Sequence, residues 1–420
     1  MPNQRDTGEE YRKNRVFLPM ISLAYIAVFA NIQGFQALLP LVQAEFTLSR
    51  AQAGLYTSFY FLSGALIAIF SGKIVDGLGT RRGLILGVGI LGFMMILHAL
   101  SPLFGLILLF AFITGFAFSV ITPSVNKGVL ELSEPSRRST NMGMVHGLGG
   151  LGGFLGAFIL PFAGELVGWR MALVFSSMLA LGVAAFLARF FRPVTARPVW
   201  SEASMTDLIS SLRKDLAGIM SDRYLLWVCA MGIVFGISVS SVSGHYAIFL
   251  NRDLLFSPTA AGLGLGIFQI GGMLGQPFWG YANQRWMGAD RRRGLYTLGF
   301  VIAALCLFFG LVVSRGLFSL AGILVVSFLL GFCIIGLVAV YFTAIGELAP
   351  PGRIGIVTGL ALTYARLSMV VAPPLFGLVA DRTTGTYTLS WVLLGGAVFG
   401  MTLAFWLFGK PDASRQHMRS

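Results

Sequence analysis

The sequence predicts an all-α polytopic membrane protein of twelve transmembrane helices in two six-helix halves. Three observations carry that prediction: apolar runs of bilayer length recur twelve times, the first half of the chain returns in the second, and the basic residues sort to one side. Of 420 residues, 56% are hydrophobic and 11% are charged, with a mean hydropathy of +0.81. A soluble domain carries about 25% charged residues, so this chain has too few to cover a wetted surface. The 53 glycines and 36 phenylalanines suit helices packed closely in lipid, where small residues let backbones approach.

A helix needs ~20 apolar residues to cross the hydrocarbon core. Runs of that order fall at 17–41, 51–73, 84–101, 103–129, 141–163 and 171–191. They resume at 225–250, 260–281, 294–314, 317–345, 354–380 and 388–409. The first run is longer than a signal-peptide core and no cleavage site follows it, so it reads as an uncleaved first helix. Between the two sets lies a polar interval carrying Pro193, Pro198, Arg213, Lys214 and Asp215. The expected organisation is a six-helix half over 1–191, a cytoplasmic linker over 192–223 and a second half with a short tail over 224–420. A short amphipathic helix is expected within the linker, around Met205–Met220.

The repeat is parallel. A shift of 208 residues brings Ser49, Ala53, Gly54, Gly64 and Gly72 onto Ser257, Ala261, Gly262, Gly272 and Gly280. A shift of 216 brings Gly115, Phe116, Glu131, Leu132, Pro135, Arg137 and Gly143 onto Gly331, Phe332, Glu347, Leu348, Pro351, Arg353 and Gly359. Two halves related in the same direction are one of the repeat types on which transporters are built.

The net charge of +13 does not mark a nucleic-acid binder. With the N-terminus inside, 24 of the 30 Lys and Arg residues fall on the cytoplasmic side, five outside, and Arg366 within a span. This bias sets orientation, so both termini are expected in the cytoplasm of a cell (inner) membrane protein. Cys229, Cys306 and Cys333 sit in apolar stretches without metal or redox spacing and read as packing residues. Gly147-Leu-Gly149-Gly-Leu-Gly152 matches a dinucleotide fingerprint, but no strand precedes it. The pairs Gly149/Gly153 and Gly152/Gly156 read instead as a helix-packing face. No catalytic, metal, cofactor or ATP-binding motif is present, so neither an enzyme nor an ATP-driven pump is expected.

The turn after the second span reads Gly72-Lys-Ile-Val-Asp76-Gly-Leu-Gly79-Thr-Arg81-Arg82. The glycines permit a tight turn, and Asp76 is placed to hold an Arg or a helix N-terminus across the interface between halves. With the repeat, this motif resembles the signature of the major facilitator superfamily, along nearly the whole chain. The resemblance implies a secondary transporter, with Gly72, Asp76, Gly79, Arg81 and Arg82 as a latch for the outward-open state. In the second half Asn283 and Gln284 stand where the acid would be, which implies a weaker latch there.

Arg366 is the most informative single residue. It lies mid-span between Tyr364, Ala365, Leu367 and Ser368, where a charge costs several kcal/mol. Every Asp and Glu falls in loops, tails or helix ends, so the missing counter-charge is most simply a substrate's. Satisfaction by backbone carbonyls and Tyr hydroxyls is the competing reading. Lys127 is placed for substrate contact or for pairing with Glu131 one helical turn on. His146 suits a proton or substrate role, or hydrogen-bonded packing.

By the resemblance, the first, fourth, seventh and tenth helices line a central cavity. That makes Tyr25, Phe29, Gln33 and Gln36 lining candidates, joined by Ser238, Ser241, Tyr341 and, on the eighth span, Gln269. Each is equally explained by an inter-helix hydrogen bond. A basic residue after a Tyr on the eleventh span resembles the oxalate/formate and monocarboxylate branches, although their basic residue on the eighth span is absent. The Gly-rich fifth helix is similar to nitrate/nitrite porters, whose arginines on the second and eighth helices are missing. The function expected is import or export of a small organic anion, a carboxylate, with a proton or counter-anion as partner and a monomer in the bilayer. The alternatives are a proton-driven drug or metabolite exporter and a transporter-like sensor. Against the exporter stand the missing Gly-Pro pair in the fifth span and the missing membrane-embedded acid.

Overall fold

A computed structural model describes residues 17–191, 220, 222–350, 354–383 and 385–410. The expected helix at Met205–Met220 and most of the linker lie outside these residues. The first helix is α1, Phe17–Glu45. Arg50–Leu100 is one helical run divided by Gly79, at φ 74° and ψ 162°, into α2 (50–78) and α3 (80–100). That backbone conformation is one only glycine enters at low cost, and it turns the chain back across the bilayer without a loop. Next come α4 at Phe104–Leu132, α5 at Arg138–Val167 and α6 at Trp169–Phe190. The second half holds α7 at Arg223–Arg252, α8 at Pro258–Trp286 and α9 at Arg291–Leu311. It ends with α10 in two pieces, Leu320–Ile334 and Leu337–Leu348, then α11 at Ile354–Arg382 and α12 at Thr388–Phe408.

Twelve helices among the described residues agree with the sequence count, and ten stretches of them are long and apolar enough to span a membrane by themselves. The second span runs further than its hydropathy suggested, because the turn costs a single residue. The break in α10 was not expected. It falls at Gly336, where an added Cβ would meet Phe332 O at 2.2 Å and the Trp279 ring at 2.5 Å.

Five of the described helices start at short polar residues that satisfy orphan amides: Ser49, Asp222, Ser257, Asp290 and Ser319. Ser49 caps α2 by accepting from Gln52 N, and Gln52 returns the bond in a capping box. Ser257 caps α8 by accepting from Ala260 N. These are the two serines that the 208-residue shift superimposes.

Packing repeats with the same symmetry. In the first half α1 lies on α5, α2 on α4 and α3 on α6; in the second, α7 lies on α11, α8 on α10 and α9 on α12. The halves meet along two helix pairs, α2 with α11 and α5 with α8. The predicted glycine face builds part of this. Cβ atoms at Gly152 and Gly156 would sit 2.4 and 1.9 Å from the carbonyl oxygens of Ile26 and Ala30 on α1.

Candidate functional site

The polar contacts between the halves lie along α2 and α11 from mid-span to one end of the bundle, with a second set where α5 meets α8. At that end, Arg50 at the start of α2 pairs with Asp253 after α7 at 3.1 Å. The amides of Arg50 and Ala51 donate to the two oxygens of Asp381 at 3.0 and 2.8 Å. Tyr387 N donates to Asp253 at 2.6 Å, and the Arg50 guanidinium lies over the Tyr387 ring at 5.1 Å. Burial pushes the Asp253 carboxyl above the usual carboxylate range, against the opposing pull of the Tyr387 amide and Arg50. His245 is buried behind this cluster, with its two ring nitrogens 2.8 Å from Tyr387 OH and from Pro373 O.

Deeper along the same seam, Ser58 donates to Val370 O at 2.5 Å. Arg366 then crosses from α11 to the Gly64 carbonyl of α2 with one guanidinium nitrogen. Arg366 is half-buried, beside buried Tyr60, and no described carboxylate pairs with it. A guanidinium carries five N–H donors, so most of its hydrogen-bonding capacity is left beyond Gly64. Its neighbour Leu367 is 55% exposed.

Gln33 of α1 and Gln269 of α8 meet over Gly153 of α5, whose added Cβ would be 3.2 Å from the Cγ of each. The Gln33 and Gln36 carbonyl oxygens, and the Ser238 and Ser241 hydroxyls, are buried without a partner among the described residues. An unsatisfied buried acceptor costs about 1–3 kcal/mol, which a ligand or water can recover.

Tyr25 is buried with its ring edge-on to Phe29 and to His146 at 4.9 and 5.3 Å. His146 lies 3.0 Å from the Asn126 side-chain oxygen. Tyr341 donates to Cys229 O at 2.9 Å and to Ala361 O at 3.2 Å, tying α10 to α7 and α11. Tyr364 packs half-buried against the core. Lys127 pairs with Asp76 at 2.6 Å, with Glu131 at 3.9 Å. The structure therefore brings Gln33 and Gln269 together over α5, places Arg366 on the separate α2–α11 seam, and sets Lys127 and His146 nearer the Asp76 end.

At that end the motif residues serve their own half. Arg81 donates to the carbonyls of Ala188 and Phe191, closing the end of α6. Arg292 does the same for α12 through Gly409 O and Trp406 O. Asp76 is exposed and engages Lys127, and Arg82 is exposed. Gly72 lies within α2, and its surroundings fall outside the description. In the second half Arg291 gathers Glu347, Asn283 and Gln284 into one cluster.

Sequence reasoning missed Asp253, Asp381 and Tyr387, having taken the charges there as loop ends. A signal existed: Gly377-Leu-Val-Ala-Asp381 has the spacing of Gly72-Lys-Ile-Val-Asp76. Gly64 stood out only as a repeat position, with nothing to mark it as the acceptor for Arg366, and Tyr60 carried no signal.

Comparison with known proteins gives a consistent picture. The Major Facilitator Superfamily model matches residues 21–248 and again 228–418. A hexuronate transporter of Bacillus subtilis is 22% identical over 403 residues, 94% of this chain and 95% of its own. A probable nitrate/nitrite transporter of Mycobacterium tuberculosis is 28% identical over 83% of this chain and 85% of its own. The quinolone resistance protein NorA of Staphylococcus aureus is 22% identical over 86% of this chain and 90% of its own. A Caenorhabditis elegans relative, svop-1, matches only over 34% of its length. Among solved structures, the nucleoside transporter NupG superposes with a TM-score of 0.77 at 13% identity, covering 94% of this chain and all of that one.

Proposed function

Since this chain belongs to the Major Facilitator Superfamily, we propose that it works as a secondary transporter whose cargo is a small organic anion, a carboxylate. The observation that carries this reading is Arg366. A cation at mid-span depth is costly unless partnered, and its one described acceptor is the uncharged Gly64 carbonyl. An anion supplies the charge that the described residues do not. A carboxylate also matches the planar fork of a guanidinium with two parallel bonds. Gln33, Gln36, Ser238 and Ser241 offer uncharged hydrogen-bonding groups to the rest of such a molecule. The hexuronate and nitrate/nitrite relatives add support for an anion. Exchange between states open to either side is driven by protons or by a counter-anion, with the Asp76 end in the cytoplasm on the charge bias.

The experiment is binding of small mono- and dicarboxylates, a hexuronate among them, to the purified protein by thermal shift. Ligand stabilisation grows as RT ln(1 + [L]/Kd), so even millimolar ligands register. Arg366→Ala should cost roughly 10²-fold in affinity, and Arg366→Lys should retain part of it. The ligand-free Arg366→Ala protein should be at least as stable as the parent, because an unpaired buried charge is removed. Normal anion binding by Arg366→Ala would overturn the proposal and favour the exporter reading, which rests on the NorA relationship.

A further inference from the structure

We propose that Asp381 and Glu165 are a matched pair of latches that hold the halves together at the Arg50 end during the transport cycle. The inference is independent of the cargo, and it starts from the two helix pairs that join the halves.

On the α2–α11 pair, the Asp381 carboxylate takes the first two amides of α2. On the α5–α8 pair, Glu165 takes Thr259 N at 3.1 Å and Thr259 Oγ1 at 2.6 Å, at the start of α8. In both cases an acid in the last turn of one helix satisfies the orphan amides of an antiparallel helix from the other half. Both bonds combine a charge-assisted hydrogen bond with the favourable end of a helix dipole.

The supporting parts repeat as well. Gly54 and Gly262, equivalent in the 208-residue repeat, each let a helix pass against a proline of the partner. A Cβ at Gly54 would be 2.7 Å from Pro373 C and O; one at Gly262 would be 2.2 Å from Ala157 O and 2.7 Å from Pro161 Cγ. At Gly377 a Cβ would fall 2.4–2.6 Å from the Arg50–Ala51 backbone. That glycine is what lets Asp381, four residues on, reach the amides.

The same seam explains the sequence motif at the opposite end. Along α2 and α11 the register sets 54 against 373, 58 against 370 and 64 against 366. Continued, it sets Asp76 opposite residue 354, where α11 begins. Gly72 to Asp76 on α2 and Gly377 to Asp381 on α11 are therefore one device used at the two ends of one antiparallel pair. The α5–α8 pair keeps only the Arg50-end copy, Glu165, since Asn283 and Gln284 replace the acid at the end of α8. Two acids favour closure at the Arg50 end against one at the Asp76 end. In this structure the two are engaged and Asp76 is held by Lys127.

The test uses spin labels on Leu103→Cys and Leu317→Cys, which are 63% and 80% exposed on opposite halves at the Arg50 end. The native cysteines are buried and leave the labels specific. Asp381→Asn and Glu165→Gln should each move the population toward the longer distance by about fivefold, and together by the product. Asp76→Asn should move it the opposite way. Asp381→Glu, which keeps the charge, should stay nearer the parent than Asp381→Asn. A parental distance distribution in the Asp381→Asn/Glu165→Gln double variant would overturn the proposal, as would a shift of Asp76→Asn in the same direction as the double variant.

Discussion

Lys127 Nζ sits 2.6 Å from the Asp76 carboxylate, bridging α4 to the end of α2 within one half. The side chains are 26% and 62% exposed, so the pair is screened and worth about 0–1 kcal/mol. Its effect is on availability: while Lys127 holds Asp76, that acid cannot serve the start of α11.

Asp76→Asn should accordingly leave thermal stability nearly unchanged while slowing transport in proteoliposomes. The charge comes from a wet surface, and on the latch role proposed for Asp76 the state closed at that end loses an acid. Lys127→Ala should leave anion affinity unchanged and shift the equilibrium opposite to Asp76→Asn, because it frees the acid. A tenfold loss of affinity in Lys127→Ala would make Lys127 a substrate contact and remove it from this role. Transport at the parental rate by Asp76→Asn would reduce the motif to a basic turn.

How far these residues were legible depends on the range of the interaction. Glu131, one turn from Lys127, was visible as its partner; Asp76, 51 residues away, became one only when α2 and α4 were placed side by side. Arg366 announced itself because a mid-span charge is anomalous whatever surrounds it. Its acceptor is a backbone carbonyl, which no sequence pattern singles out. The twelve spans and the turn at Gly79 are local and periodic, and so could be read directly; Ser49 and Ser257 showed only as repeat equivalents, and their capping bonds came with the structure. The cluster of Arg50, Asp253, Asp381 and Tyr387 joins α2, α7, α11 and α12, and each member alone looks like an ordinary helix end. Tyr341 looked like cavity lining because a polar tip on an apolar span also fits a bond to neighbouring carbonyls.

Asp253 gives a pH signature with a definite sign. Its folded carboxyl is shifted upward by burial, against the Tyr387 amide and Arg50, with Asp381 and His245 the other titratable groups nearby. A raised acid contributes stability that is fully present below its ordinary value and is lost as pH rises through the folded value. The difference in melting temperature between the parent and Asp253→Asn should therefore shift against the parent from about pH 4 upward. Scanning fluorimetry in detergent across pH 4–8 reads this. A difference that shifts in the parent's favour with pH would mean that Arg50 outweighs burial.

The glycine face of α5 separates packing from any ligand-binding reading of its G-x-G-x-x-G pattern. At Gly156 an added Cβ would lie 1.9 Å from Ala30 O and 2.6 Å from the Ala30 Cα and C, all backbone atoms of α1. No rotamer relieves that clash, so α1 and α5 must separate. Overpacking costs about 1–3 kcal/mol when side chains can adjust, and here a whole helix must move. Gly156→Ala should lower the melting temperature by several degrees and Gly156→Leu should block folding. On the same helix, Gly143→Ala meets nothing within 4 Å and should be neutral or slightly stabilising through helix propensity. Comparing Gly156→Ala with Gly143→Ala by scanning fluorimetry and gel filtration isolates the packing effect from loss of glycine itself. Equal melting temperatures in the two variants would show that α1 and α5 do not meet along this face.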